Sequence, residues 1–232
     1  MQKIMDKNFK KLMWLFMLVI LPLATYAQKD VTQFLDIPVD GYKADMIKKL
    51  KSKGFTINKY SGDALDGEFN GTDVNIFIAT DNNKVWRIGV FDVNRTNETN
   101  IKIRFNNLIQ QFVNNKRYFA QPDSTIAKYN IPKEEDISYE ISVNKKRYEA
   151  VFYQKTVKYD SLIKEQEDLI RSKETLNNKD KDRVVDLIFE ISKESMDSLN
   201  KQVWFMIQED NGEYRIMIYY DNIYNKANGE GL

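Results

Sequence analysis

Cysteine and histidine are both absent from the 232 residues. The first absence excludes disulfides, thiolate zinc sites and thiol nucleophiles. The second excludes Ser–His–Asp hydrolysis, Cys–His proteolysis and histidine-ligated transition metals. An excess of one charge is missing too. The chain has 35 Lys and Arg against 34 Asp and Glu, so its net charge of +1 gives no electrostatic case for nucleic acid. Glycine is sparse, at 9 residues, and neither Gly-x-x-x-x-Gly-Lys-Ser/Thr nor Gly-x-Gly-x-x-Gly occurs. No phosphate cradle and no cofactor is therefore expected.

One long apolar run is present, at the N-terminus. Lys3, Lys7, Lys10 and Lys11 precede the stretch Leu12 to Leu23, and Ala24-Thr25-Tyr26-Ala27 follows. A basic head, a short apolar centre and small residues at the last and third-last positions describe a secretory signal peptide, cleaved after Ala27. The run falls short of the ~20 residues a spanning helix needs, and Pro22 sits near its end. The expectation is a secreted or periplasmic chain with no membrane span after cleavage. Cleavage removes four lysines and one aspartate and turns the net charge from +1 to −2. Without disulfides, the exported chain holds together by packing alone.

Residues 28–120 read as helix, hairpins, helix. Asp40 is placed to cap a first helix whose apolar stripe is Met46, Ile47 and Leu50, with Gly54 as its left-handed stop. Asn70-Gly71 is a strong two-residue hairpin signal, and Asp81-Asn82-Asn83-Lys84 makes a second turn. Thr96 or Asn97 then caps a helix carrying Ile101, Phe105, Leu108, Ile109 and Phe112 on one face. The stretch from Gln121 through Pro132 reads as a loop between halves.

Residues 133–224 repeat the theme loosely. Ile137 to Val157 reads as a hairpin turning at Asn144–Arg147, with Tyr139 facing Phe152, Ile141 facing Ala150 and Val143 facing Tyr148. A charged helix follows from Asp160 to Leu176. A second, about Asp182 to Leu199, has Val184, Leu187, Ile188 and Ile191 as its buried stripe. The last hairpin turns at Asn211-Gly212, and the tail 225–232 reads as disordered. Successive local hairpins interleaved with helices predict an α+β fold, an antiparallel sheet with helices packed on one face.

Four constellations bear on chemistry. On the Asn70-Gly71 hairpin, Asp66, Glu68 and Asp73 share a face with Asn75, and Glu68 opposes Asp73. Such a face either binds a cation such as Ca²⁺ or is simply solvated, since no Asp-x-Asp-x-Asp-Gly loop accompanies it. Paired carboxylates are the one hydrolytic scheme left to this composition, but no pair is singled out. Glu134-Glu135-Asp136 reads as a helix start or a solvated run. Ser161 and Lys164 lack a glycine-rich oxyanion loop, and Lys145-Lys146-Arg147-Tyr148 reads as a polar tip. The last hairpin places Val203, Phe205 and Ile207 on one face, and Trp204, Met206 and Gln208 on the other against Tyr219, Met217 and Arg215. Two placements are open. Either the hairpin lies mid-sheet with both faces covered, or Trp204, Met206, Arg215, Met217 and Tyr219 form a contact surface.

The segment Phe34-Leu35-Asp36-Ile37-Pro38-Val39-Asp40-Gly41, with Gly67-Glu68-Phe69-Asn70-Gly71 and Lys102-Ile103-Arg104-Phe105-Asn106-Asn107-Leu108, resembles a group of uncharacterised secreted proteins from gut-type Gram-negative bacteria. The likeness covers about residues 34–119 and brings no activity or site residues with it. The helix-then-hairpins order is also similar to small periplasmic modules of the β-lactamase-inhibitor-protein type, an architectural likeness only. The expectation is a non-enzymatic exported protein that binds another macromolecule in the envelope. The alternative is a carboxylate-based hydrolase acting on envelope polysaccharide or peptide.

Overall fold

Three two-residue turns set the sheet. Asn70-Gly71, Asn82-Asn83 and Asn211-Gly212 all have positive φ, the conformation a tight hairpin with right-twisted strands requires. The computed structural model describes residues 30–172 and 176–227. The signal peptide expected over 1–27 and the last five residues of the tail lie outside that range. A short ribbon, β1 (Gln33–Phe34) and β2 (Ile37–Pro38), precedes the main sheet. The main sheet comprises β3 (Thr56–Ile57), β4 (Ala64–Phe69), β5 (Thr72–Asp81), β6 (Lys84–Asp92), β7 (Glu149–Tyr153), β8 (Lys201–Asp210) and β9 (Glu213–Asn222). Their spatial order is β3-β4-β5-β6-β9-β8-β7, every pair antiparallel. The two halves of the chain thus meet where β6 pairs with β9, Ile88 opposite Tyr220.

One sheet face carries the core. Ile76, Ile88, Val203, Phe205 and Ile216 are fully buried there. Helix α1 (Lys43–Ser52) contributes Met46 and Leu50, and α2 (Glu98–Asn114) contributes the five residues of its predicted stripe. Asn97 caps α2 by accepting from Asn100 N–H at 2.9 Å. Each such apolar side chain adds about 1.5–3 kcal/mol on leaving water. The α+β class and the antiparallel sheet, with α1 and α2 packed on its core face, are as the sequence predicts. Gly67 shows how tight the fit is. A Cβ there would lie 2.2 Å from Phe55 Cδ1, and Phe55 is buried. Gly67→Ala should therefore cost about 1–3 kcal/mol, seen as a lower urea midpoint at unchanged slope.

Several expectations are corrected. Residues 137–157 are not a hairpin, because α4 (Ile137–Ser142) replaces its first strand and only β7 remains, paired with β8. Asp136 decides this by accepting from Tyr139 N–H, a helix cap, and Ile137 is buried while Tyr139 and Val143 stand exposed. Helix α3 (Asp123–Tyr129) occupies the expected loop. Asp40 does not cap α1, since its carboxylate accepts from Gly41 N–H and Asn225 Nδ2, both at 2.7 Å. Asn225 is therefore held, in a turn over Ile223–Asn225, where the tail was expected to be loose. Helices α5 (Tyr159–Arg171) and α6 (Asn178–Ser198) pack chiefly on each other, not on the sheet. Helix α6 starts four residues early because Asn177 and Asp180 form a capping box. Leu187 is buried on it, whereas Ile188 is half exposed and Phe189 is open to solvent.

Candidate functional site

Strands β8 and β9 lie inside the sheet, yet among the described residues most side chains of their second face are only half-buried. The two-residue turn at Asn211-Gly212 sets the register, pairing Trp204 with Tyr219, Met206 with Met217 and Gln208 with Arg215. All five expected contact residues, Trp204, Met206, Arg215, Met217 and Tyr219, stand together on that face and are half-buried. Trp204 stacks on Tyr219 with ring centroids 4.3 Å apart at 24°. Burial raises the Tyr219 hydroxyl pKa above its ordinary value, although Arg87 and Arg215 pull the other way. The phenol thus stays neutral and donates to Met217 Sδ at 3.7 Å.

The face extends beyond this hairpin. Phe91 packs edge-on against Tyr219 at 5.5 Å, and Phe77 lies 4.9 Å from Phe91. Phe77, Phe91, Tyr219 and Trp204 form one row over four adjacent strands, roughly 14 Å at the normal strand spacing. Gly89 makes the row possible. It pairs with both Phe77 and Tyr219, and a Cβ on it would meet Phe91 Cε1 at 2.9 Å. The Phe91 ring fills the place a side chain at 89 would take.

Arg87 clamps the upper end. A bulge between Ala79 and Thr80 leaves Trp86 as the extra residue on β6, beside Arg87. The guanidinium carbon lies 4.3 Å from the Trp86 ring centre, 4.7 Å from Tyr219 and 5.3 Å from Trp204. Its Nε and one terminal nitrogen each reach an Asp221 oxygen at 2.6 Å. Trp204 Nε1 donates to the same carboxylate at 3.1 Å. Asp221 is buried, with three donors aimed at it, and this fixes the rings around it.

Trp86, Arg87, Phe77, Phe91 and Asp221 escaped the sequence reading. The alternation of β5 and β6 could have given the two phenylalanines; the bulge and the β6–β9 pairing have no local signal. The acidic hairpin face is occupied otherwise, because Asp66 Oδ1 accepts from Asn58 and Asn75, each at 2.7 Å. Among the described residues no group of three or more acidic side chains is placed to hold a metal ion. Buried Asp92 is paired in bidentate fashion with Arg104. Burial pushes Glu135 up, but hydrogen bonds from Lys146 and Tyr148 outweigh it and hold the carboxyl below its ordinary pKa. That is the direction opposite to a general acid. Compared with protein-family models, curated proteins and solved structures, the chain matches none.

Proposed function

We propose that this chain is an exported binding protein of the cell envelope, and that the open sheet face is where a partner protein docks. The aromatic row from Phe77 to Trp204 carries this reading. Stacked Trp and Tyr with Met and Arg beside them is the composition of an interface core. The rings sit on paired strands and are pinned through Asp221, so little ordering remains to be done on binding. Charge gives the partner a sign. Arg215 donates to neutral Gln208 at 2.6 Å, and among the described residues it has no ion-pair partner. A partner carboxylate over Arg215 would complete it.

Photo-crosslinking in cells tests the reading. A benzophenone amino acid at Met206 or Met217 should each yield the same protein adduct. One at Glu167, on the outer helix α5, should yield none. Arg215→Glu should reduce the adduct from Met217 at least fivefold. Adducts from Glu167 or Phe189 but not from Met206 and Met217 would overturn the assignment to the sheet, as would no adduct at all.

A further inference from the structure

Helix α6 buries Leu187, and the side of the helix turned away from Leu187 carries Val185, Ile188, Phe189, Ser192, Met196 and Leu199. Leu199 continues the stripe because the C-cap keeps helical φ and ψ. Phe189 and Met196 are each 71% exposed, Leu199 57%, and Val185 and Ile188 50%. At those exposures the stripe presents on the order of 500 Å² of apolar surface, as much as the largest patch on a typical monomer.

The spacing of the stripe suits a second copy of itself. Counted from Ser192, apolar residues stand at −7, −4 and −3 and again at +4 and +7. An antiparallel pair of such helices, two-fold about Ser192, sets Val185 against Leu199 of the other copy and Ile188 against its Met196. Phe189 then lies opposite Ser195, a small residue that leaves room for the ring. At the axis the two Ser192 side chains meet, and small residues at a crossing let the helices approach closely. Both serine hydroxyls are already used within the helix. They donate to the carbonyls of Ile188 at 2.7 Å and Ile191 at 2.8 Å, so neither is left unsatisfied in a dry contact.

Charge agrees with the same register. Lys193 is exposed and has no ion-pair partner among the described residues. In the antiparallel pair it falls one residue, about 1.5 Å along the axis, from Glu190 of the other copy, and two reciprocal Lys193–Glu190 pairs flank the stripe. A lipid surface suits this helix less well. Interfacial helices carry Lys and Arg on their polar face, whereas α6 has six acidic residues against four basic. Two copies of the stripe bury about 1,000 Å² together, the lower bound for a specific interface. We infer that this chain forms a reversible two-fold dimer through α6, antiparallel about Ser192. The helical surface is separate from the docking face of the sheet and does not depend on it.

Sedimentation equilibrium of the purified protein from about 5 to 500 µM should show monomer and dimer in exchange, with a Kd in the micromolar range. Phe189→Glu, at an exposed position, should raise that Kd at least tenfold with an unchanged urea midpoint. The absence of cysteine makes the register readable by mild oxidation. Ser192→Cys alone should give a disulfide-linked dimer, because the two-fold axis brings the two positions together. Val185→Cys and Leu199→Cys should link to each other when the two variants are mixed, and neither should link to itself. A monomer at every concentration overturns the inference. So does a dimer that survives Phe189→Glu, one abolished by Met217→Glu instead, or Val185→Cys linking to its own kind, the mark of a parallel pair.

Discussion

Replacing Asp221 with alanine is expected to lower the unfolding free energy by about 3–5 kcal/mol, measured by urea denaturation. The carboxylate is 3% exposed and takes two bonds from Arg87 and one from Trp204. Without it the guanidinium keeps its rings but loses both charge-assisted bonds, and the Trp204 N–H is left unsatisfied. The stacking contacts do not replace these, each contributing on the order of 1 kcal/mol. Adding Arg87→Met should recover part of the loss, since an unpaired charge costs more than a missing pair. A double variant no more stable than Asp221→Ala would show that Asp221 acts through packing and not through Arg87. Trp86 and Trp204 flank the pair, so tryptophan emission reports the same change locally.

The second large effect belongs to the other face. Phe205 is fully buried, stacked near-parallel to Phe112 at 5.4 Å and Phe152 at 6.1 Å, with Phe105 edge-on at 5.0 Å. Phe205→Ala should cost about 3–5 kcal/mol, combining lost transfer energy with the cavity left among three rings. Phe91→Ala, on the open face, should cost about 1 kcal/mol, because water already reaches that ring. The contrast is informative. Equal costs would mean that the aromatic row is a second core layer and not a surface kept for contact.

Much of this was legible because the turns are local. A two-residue turn determines which residues oppose one another over a whole hairpin, so Trp204–Tyr219 and Met206–Met217 follow from Asn211-Gly212 alone. The α2 stripe was legible for a similar reason, one cap and one period. The stretch from Ile137 to Val143 was not. Its apolar residues fit both strand alternation and a helical i, i+4 pair, and only the Asp136 cap and the burial of Ile137 separate the two. The Arg87 clamp was invisible because it joins residues 134 positions apart and depends on a bulge that moves Trp86 off the alternating pattern.

The pairing of β6 with β9 also governs the order of assembly. Each hairpin closes over a few residues, but the seam between the halves must close a loop of 134. The entropic cost of closure grows with length, so the seam is the slow event and the hairpins are the fast ones. Until it forms, β6 and β9 each present an unpaired backbone edge, the kind of surface that recruits other chains. The last of the described strands, β9, fills an internal place in the sheet, between β6 and β8. A nascent molecule therefore carries an open edge on β6 until β9 arrives, and truncation before Glu213 leaves that edge open permanently.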